Sequence, residues 1–253
     1  MNQQAKYVYD PEHHNLDAPR EIVPFLIDKF HPQSVVDVGC GNGTFLSVFL
    51  ENGIKDILGL DGGWVNRSEL YIDGAFFLEK DLEKDLSINR KFDMVLCLEV
   101  AEHLSGDVAD NFINNLTNLG DIIIFSAAII NQGGQNHINE QPFDYWIEKF
   151  SKRDFVFYDI FRRRFWNNTK VNWWYKQNMF LVAHNSVDVS KYQINADKSE
   201  PILEYVHPEL LEFHLKDLRK FKNKVNWIRH GKAPAGFYFQ LLRKKIAKRF
   251  LKK

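Results

Sequence analysis

Three glycines at alternate positions, Gly39, Gly41 and Gly43, separate the apolar run Ser34-Val-Val-Asp-Val from a second apolar stretch that begins Thr44-Phe-Leu. Glycines so placed let the backbone take dihedrals that side chains forbid and clear a path for a ligand to reach the main chain. Amides at the start of the following helix then sit at the rim of the crevice beyond the strand ends, where open parallel sheets bind ligands. The spacing G-x-G-x-G is not the G-x-G-x-x-G that sets a pyrophosphate on a helix N-terminus, which argues against a nicotinamide or flavin. Asp61 closes the next apolar run. A strand-end carboxylate at that distance can accept hydrogen bonds from both hydroxyls of a ribose, so the two features together point to a nucleoside ligand.

Glu99, Glu102 and His103 follow a later apolar run, Phe92 to Leu98. If that stretch is helical, Glu99 stands three and four positions from the other two and all three converge. Two carboxylates and an imidazole suit a hard divalent cation such as Mg²⁺ or Mn²⁺, with water completing the shell. A capping and hydrogen-bonding cluster is the alternative. A further apolar run empties into Ala127-Ala-Ile-Ile-Asn-Gln-Gly-Gly-Gln-Asn-His-Ile-Asn-Glu-Gln, a glycine-broken, amide-rich loop holding His137, Asn139, Glu140 and Gln141 ahead of Tyr145 and Trp146. Farther on come Trp173, Trp174, Tyr175, Gln177 and Asn178. Amides and carboxylates beside flat aromatic faces suit sugars, which need many directional hydrogen bonds and an apolar surface for the ring. Packing within the core is the alternative for each aromatic.

The elements that must position these groups are legible in the periodicity. Ser34–Val38, Ile57–Leu60, Ala75–Leu78, Phe92–Leu98, Ile122–Ala127, Phe155–Ile160 and Met179–Ala183 read as strands, and Pro19–Phe30, Thr44–Asn52 and Asp107–Leu119 as helices. Strand and helix in alternation predict an α/β fold, a doubly wound and mostly parallel seven-stranded sheet. The expected organisation is a domain over 1–186, a polar connection over 187–207 and a basic helical extension over 208–253, with helix at Pro208–Lys224 and Pro234–Phe250.

Composition excludes several classes. With 45% apolar and 26% charged residues the chain is neither disordered nor fibrous. Two cysteines, Cys40 and Cys97, lie in apolar runs and imply no disulfide framework, so a reducing, cytoplasmic setting is expected. No apolar run approaches the ~20 residues needed to span a bilayer. A net charge of zero conceals an uneven distribution: residues 214–253 hold 14 Lys or Arg and one acid, so this extension is strongly basic against an acidic remainder. Phe239, Leu242, Ile246 and Phe250 recur at helical spacing among those cations. Such a stripe predicts either peripheral contact with an anionic membrane or packing on the acidic body. Nucleic acid is disfavoured, because the apolar groups do not interleave with the basic ones.

Four motifs in order, Val36-Asp-Val-Gly-Cys-Gly-Asn-Gly, Leu58-Gly-Leu-Asp61, Asp81-Leu82 and Phe92-Asp-Met-Val-Leu-Cys-Leu-Glu99, resemble the class I S-adenosylmethionine-dependent methyltransferases. The resemblance implies that Gly39, Gly41 and Gly43 pass beside the methionine moiety and that Asp61 holds the ribose. It further implies that Asp81 accepts from the adenine amine with Leu82 packed nearby, that Asp37 orients the loop and that Glu99 belongs to the same cofactor set. A solvated acid among Glu79, Lys80, Glu83 and Lys84 is the alternative for Asp81. The E-x-x-E-H spacing looks like that of the ubiquinone-pathway O-methyltransferases, where it is associated with a divalent metal. Residues 7 to 185 are similar to a bacterial and large-virus subgroup of glycan-modifying enzymes, with the pattern S-A-A-I, G-G, H-x-N-E-Q, Y-W, then W-Y-x-Q-N. The departure is Pro142-Phe143-Asp144, where an aromatic is expected before the proline.

The expected function is therefore O-methylation of a sugar hydroxyl, with His137 as general base and His103 second, since imidazole titrates close to neutrality. Asn139, Glu140, Gln141, Trp146, Trp174, Tyr175, Gln177 and Asn178 are the expected acceptor-binding residues. The rival readings are methylation of a small aromatic or lipid-linked phenol, and a non-catalytic scaffold that binds S-adenosylmethionine.

Overall fold

The computed structural model describes residues 15–194, 202–232, 234–239 and 243. Seven strands, β1 (Ser34–Val38), β2 (Asp56–Asp61), β3 (Phe77–Glu79), β4 (Met94–Leu98), β5 (Ile122–Ser126), β6 (Phe155–Tyr158) and β7 (Phe180–His184), form one sheet in the order β3-β2-β1-β4-β5-β7-β6. Every neighbouring pair is parallel except the two made by β7, which runs against β5 and β6. Helices α1 (Asp17–Phe30), α2 (Thr44–Glu51), α3 (Ala109–Leu119) and α4 (Phe143–Ser151) accompany it, with two short helices, α5 (Arg162–Phe165) and α6 (Trp173–Asn178).

Strand alternation divides the buried residues into two layers. Val36, Val95, Ile123, Val182 and Phe157 fall in one register row across five strands. Val35, Met94, Ile124 and Leu181 face the other way, in a core shared with Ile22, Leu26, Leu46 and Phe49 of α1 and α2. Full burial of each such side chain stabilises the fold by about 1.5–3 kcal/mol, which is why both faces of the central strands are apolar. On the opposite layer Phe125 of β5 meets Trp146 and Phe150 of α4 at ring-centroid distances of 5.6 and 5.2 Å.

The chain divides into two compact units, residues 1–207 and 208–253. In the first, Ile202–His207 is tied down by side chains: Arg162 donates to the Leu203 carbonyl, Glu204 accepts from the Phe143 amide, and the His207 amide donates to Gln177 Oε1 at 2.7 Å. In the second, α7 runs from Pro208 to Arg229. The expected helix over Pro234–Phe250 falls largely outside the described residues, as do Leu242, Ile246 and Phe250. Among the described residues no helix is long and apolar enough to cross a membrane.

The strand order reverses between β1 and β4. The loops after β1, β2, β4 and β5 therefore leave the same sheet edge, the crevice where such folds take ligands. At Gly39, whose φ is 83°, an added Cβ would fall inside the Val100 side chain, so the turn after β1 and the turn after β4 pack directly on each other. Gly53 has a similar φ, 91°, but open space around it. Gly39→Ala should cost about 2–4 kcal/mol, combining left-handed strain with overpacking. Gly53→Ala should cost about 1–2 kcal/mol from strain alone. Urea unfolding of the two variants checks the difference, and equal losses would mean that Val100 yields freely.

Candidate active site

Asp61 ends β2 with its carboxylate aimed back at the glycine loop. The Gly41 amide donates to Oδ2 at 2.7 Å and the Gly62 amide to Oδ1 at 2.6 Å. A carboxylate oxygen can accept more than one hydrogen bond, the property a ribose contact requires. Gly39, Gly41 and Gly43 all have positive φ. This is the physical reason for glycine at each, and the Gly39 and Cys40 amides both donate to the Leu60 carbonyl, holding the loop against the end of β2. Asp37, one turn of the pleat inside β1, is buried, and burial together with the neighbouring Asp61 charge pushes its carboxyl up to about 8. It is thus a neutral hydrogen-bonding group at physiological pH.

Asp81 lies in the turn after β3, half-exposed, paired with Lys84 at 2.8 Å and accepting from the Glu83 amide; these contacts hold its carboxyl below the usual range. Leu82 beside it is buried. Both cysteines are free and buried, and burial pushes their thiols well up, which disfavours the reactive thiolate.

The segment after β4 is not an α-helix, and this changes the expected convergence of Glu99, Glu102 and His103. Glu99 takes a left-handed backbone at φ 55°, and Ala101–His103 forms a single 3-10 turn. The positive φ redirects Glu99, whose carboxylate accepts from Asn178 Nδ2 at 3.1 Å and Gln132 Nε2 at 3.0 Å. Its carboxyl is raised by burial. Gln132 and Asn178 also bond each other, and Gln177 joins them. Gln177 and Asn178, expected to touch an acceptor, are fully buried in this network; Asn178 donates to Glu99, and Gln177 donates to Gln132 and Asn178. Gln132 was not singled out by sequence; its only signal was membership of an amide-rich loop after a buried strand.

What replaces Glu99 is His137. The Glu102 backbone carbonyl accepts from both the Ile138 and Asn139 amides, at 2.9 and 3.0 Å, pinning the loop after β5 onto the 3-10 turn. Asn139, buried, adds a bond from Nδ2 to the Ala101 carbonyl and accepts from Gln141. The His103 and His137 rings consequently meet edge to face, 4.9 Å between centroids. Glu102, His103 and His137 bring their potential ligand atoms within 4.8 Å of one another. The Glu102 carboxyl is fully buried and neither oxygen has a hydrogen-bond partner among the described residues. Burial and the nearby Glu99 push it well above the ordinary range. His103 is driven the other way, to about 4, by burial and by His137. His137 Nδ1 lies 2.9 Å from Glu140 Oε1, which also accepts from the Gly133 amide. Gly134 leaves the space that the His137 ring fills, since a Cβ there would collide with Nε2.

Of the remaining expected contact residues, Trp146 is a correction. It is 1% exposed, on the core face of α4 against Phe125, and its Nε1 has no hydrogen-bond partner among the described residues. Trp174 and Tyr175 stay half-buried in a run of edge-to-face rings with Trp173, and Tyr175 packs against Phe45 just after the glycine loop.

Residues 12–124 match a family model described as a methyltransferase domain. The match covers the part of the chain that holds the glycine loop, Asp61 and β4. No curated protein matches. Solved structures with similarity include an O-methyltransferase family protein from Burkholderia thailandensis, 14% identical with a TM-score of 0.47 over 67% of this chain and 57% of the other. Magnesium protoporphyrin IX methyltransferase from Synechocystis PCC 6803, with bound SAH, is 16% identical with a TM-score of 0.49 over 72% and 90%. The chain thus spans little more than half the length of the Burkholderia protein.

The raised Asp37 carboxyl fixes the sign of a pH effect. A carboxyl with a higher pKa folded than unfolded favours the native state while protonated, so its contribution is complete below about 4 and is lost as pH rises to about 8. Relative to Asp37→Asn, wild-type unfolding free energy should decline through that window by up to about 1.4 kcal/mol per pH unit, then level off. Denaturation curves at a series of pH values test this; a constant difference would mean that Asp37 is ionised throughout.

Proposed function

We propose that this methyltransferase uses S-adenosylmethionine to methylate a sugar hydroxyl of a glycan or glycan precursor, at the Glu102, His103 and His137 cluster. The observation that carries the reading is the buried, unpartnered Glu102 carboxyl between two imidazoles, at the same sheet edge as the glycine loop and Asp61. A buried carboxyl without a partner costs several kcal/mol if charged, which makes sense where a cation or a reacting hydroxyl completes the site. The nucleoside of the donor would lie along Asp61 and Gly62, and its methionine end beside Gly39 and Gly41. Asp37 keeps a neutral carboxyl under the loop, and Glu99 faces the cleft held by Asn178 and Gln132.

Methyl transfer from a sulfonium needs in-line alignment and loss of the acceptor proton as the oxygen attacks. One carboxylate and two imidazoles fit a divalent cation of the Mn²⁺ type better than Mg²⁺, which prefers oxygen donors throughout. A cation there would lower the pKa of an acceptor hydroxyl and neutralise Glu102. The chain itself supplies orientation: Glu140 fixes the His137 ring through Nδ1, and Nε2 lies against Gly134. That same bond favours a second reading without metal, in which Nε2 takes the acceptor proton directly. The half-exposed aromatic run Trp173–Tyr175 supports a sugar acceptor by offering flat apolar faces beside the glycine loop.

Two measurements test the proposal. Asp61→Ala should weaken S-adenosylhomocysteine binding by about 1.5–3 kcal/mol in calorimetry, the range for hydrogen bonds to a charged group; unchanged affinity overturns the ribose assignment. Exhaustive chelation should abolish methylation of a sugar acceptor, with Mn²⁺ restoring it in the wild type but not in Glu102→Ala. Full activity with no bound metal by elemental analysis leaves His137 as the base. The two then separate by variant, because His137→Ala would remove turnover while Glu102→Gln would retain it.

A further inference from the structure

Helix α7 buries Leu210 but leaves most of its large apolar side chains in solvent, with Phe213 and Trp227 on the face opposite the others. Leu211, Leu218, Phe221 and Ile228 are 55, 47, 64 and 41% exposed, and their spacing of seven, three and seven residues sets them in one stripe that Val225 continues. A stripe at three- and four-residue steps is the pattern of a helix that buries one face. Around it stand Lys216, Arg219, Lys220, Lys222, Lys224 and Arg229, against the acids Glu209, Glu212 and Asp217. Two of the three acids are already spent in pairs with Arg219 and Lys220, and the chain beyond α7 carries eight more Lys or Arg, counting from His230 to Lys253, with no acid.

We infer that α7 is a docking surface for an anionic membrane interface, with the Leu211, Leu218, Phe221, Val225 and Ile228 face entering the headgroup boundary and the flanking cations engaging acidic lipid. Charge decides between the occupants. A second copy of the same helix would bring Lys222 and Arg229, which flank the stripe, against their own kind, and like charges across a helix pair are destabilising. Nucleic acid would use the cations but would leave the aliphatic stripe in water. An interface of anionic lipid satisfies both, since it takes apolar side chains to a shallow depth and attracts Lys and Arg at its surface. The inference does not rest on the proposed methyl acceptor.

The test is co-sedimentation of the full chain with vesicles of phosphatidylcholine alone or with 30% phosphatidylserine. Partition to the anionic vesicles should exceed that to the neutral ones at least tenfold at low salt, and fall at least fivefold on raising the salt. Leu218→Glu with Phe221→Glu should abolish sedimentation while leaving the melting temperature and S-adenosylhomocysteine binding of the catalytic unit unchanged, because both residues are exposed. Lys222→Glu with Arg229→Glu should weaken it and retain residual binding. No sedimentation at low salt overturns the inference, as does sedimentation indifferent to the Leu218 and Phe221 changes. Concentration-dependent dimerisation lost in the Leu218 and Phe221 variant, without lipid binding, assigns the face to a second copy; retention of single-stranded RNA in place of vesicles assigns the cations to nucleic acid.

Discussion

The site depends on one carbonyl group. Glu102 O accepts two consecutive amides, Ile138 and Asn139, and by doing so fastens a long glycine-broken loop to the turn after β4. Remove that attachment and His137 has no reason to stand beside His103, nor Gly134 to lie under the imidazole. The 3-10 turn that presents the carbonyl is itself seated by Val100 in the vacancy left at Gly39. A missing side chain in β1's turn, a hydrophobic contact and two backbone hydrogen bonds thus form a chain of dependence running from the glycine loop to the imidazole pair.

Electrostatics gives the same edge of the sheet an unusual state. Asp37, Asp61, Glu99 and Glu102 crowd into a region with little water, and the local environment sorts them. Asp61 accepts from two backbone amides. Asp37 and Glu102 are pushed toward the neutral acid. Glu99 stands between these extremes, raised by burial yet receiving amide donors from Asn178 and Gln132. Carboxyls perturbed by burial and by one another cluster at functional sites.

Much of this was legible in the residues. The strand Ser34–Val38 and the glycine loop after it follow from local chemistry, apolar β-branched residues ending in positions that need positive φ, and the structure places them with the same bounds. The mostly parallel seven-stranded sheet follows from alternation of elements, whereas its strand order and the antiparallel β7 rest on contacts between distant segments. Spacing failed at Glu99, because a helical reading of 98–103 cannot foresee a non-glycine residue in the left-handed region, stabilised by Ser126, Gln132 and Asn178 from distant parts of the chain. It failed again at Trp146. Phe143, Trp146 and Phe150 recur at helical steps after Pro142, so α4 and its buried face were available to a reading of periodicity, but the polar loop before it drew the aromatic toward the ligand.

The amide of His207 ends on Gln177, Gln177 on Gln132 and Asn178, and these on Glu99. Glu99 and Asn178 are 79 positions apart in the chain, and Gln177 and His207 another 30. A ribosome that has released the methyltransferase-domain match at residue 124 has made the donor-side loop and the Glu102 turn but none of the side chains that hold Glu99 in place. The cleft wall is therefore a late product of synthesis, closed only when the antiparallel strand β7 and the strap behind it have emerged. Loop-closure entropy over that separation is the reason for placing the network on buried amides, whose bonds gain strength from the absence of water.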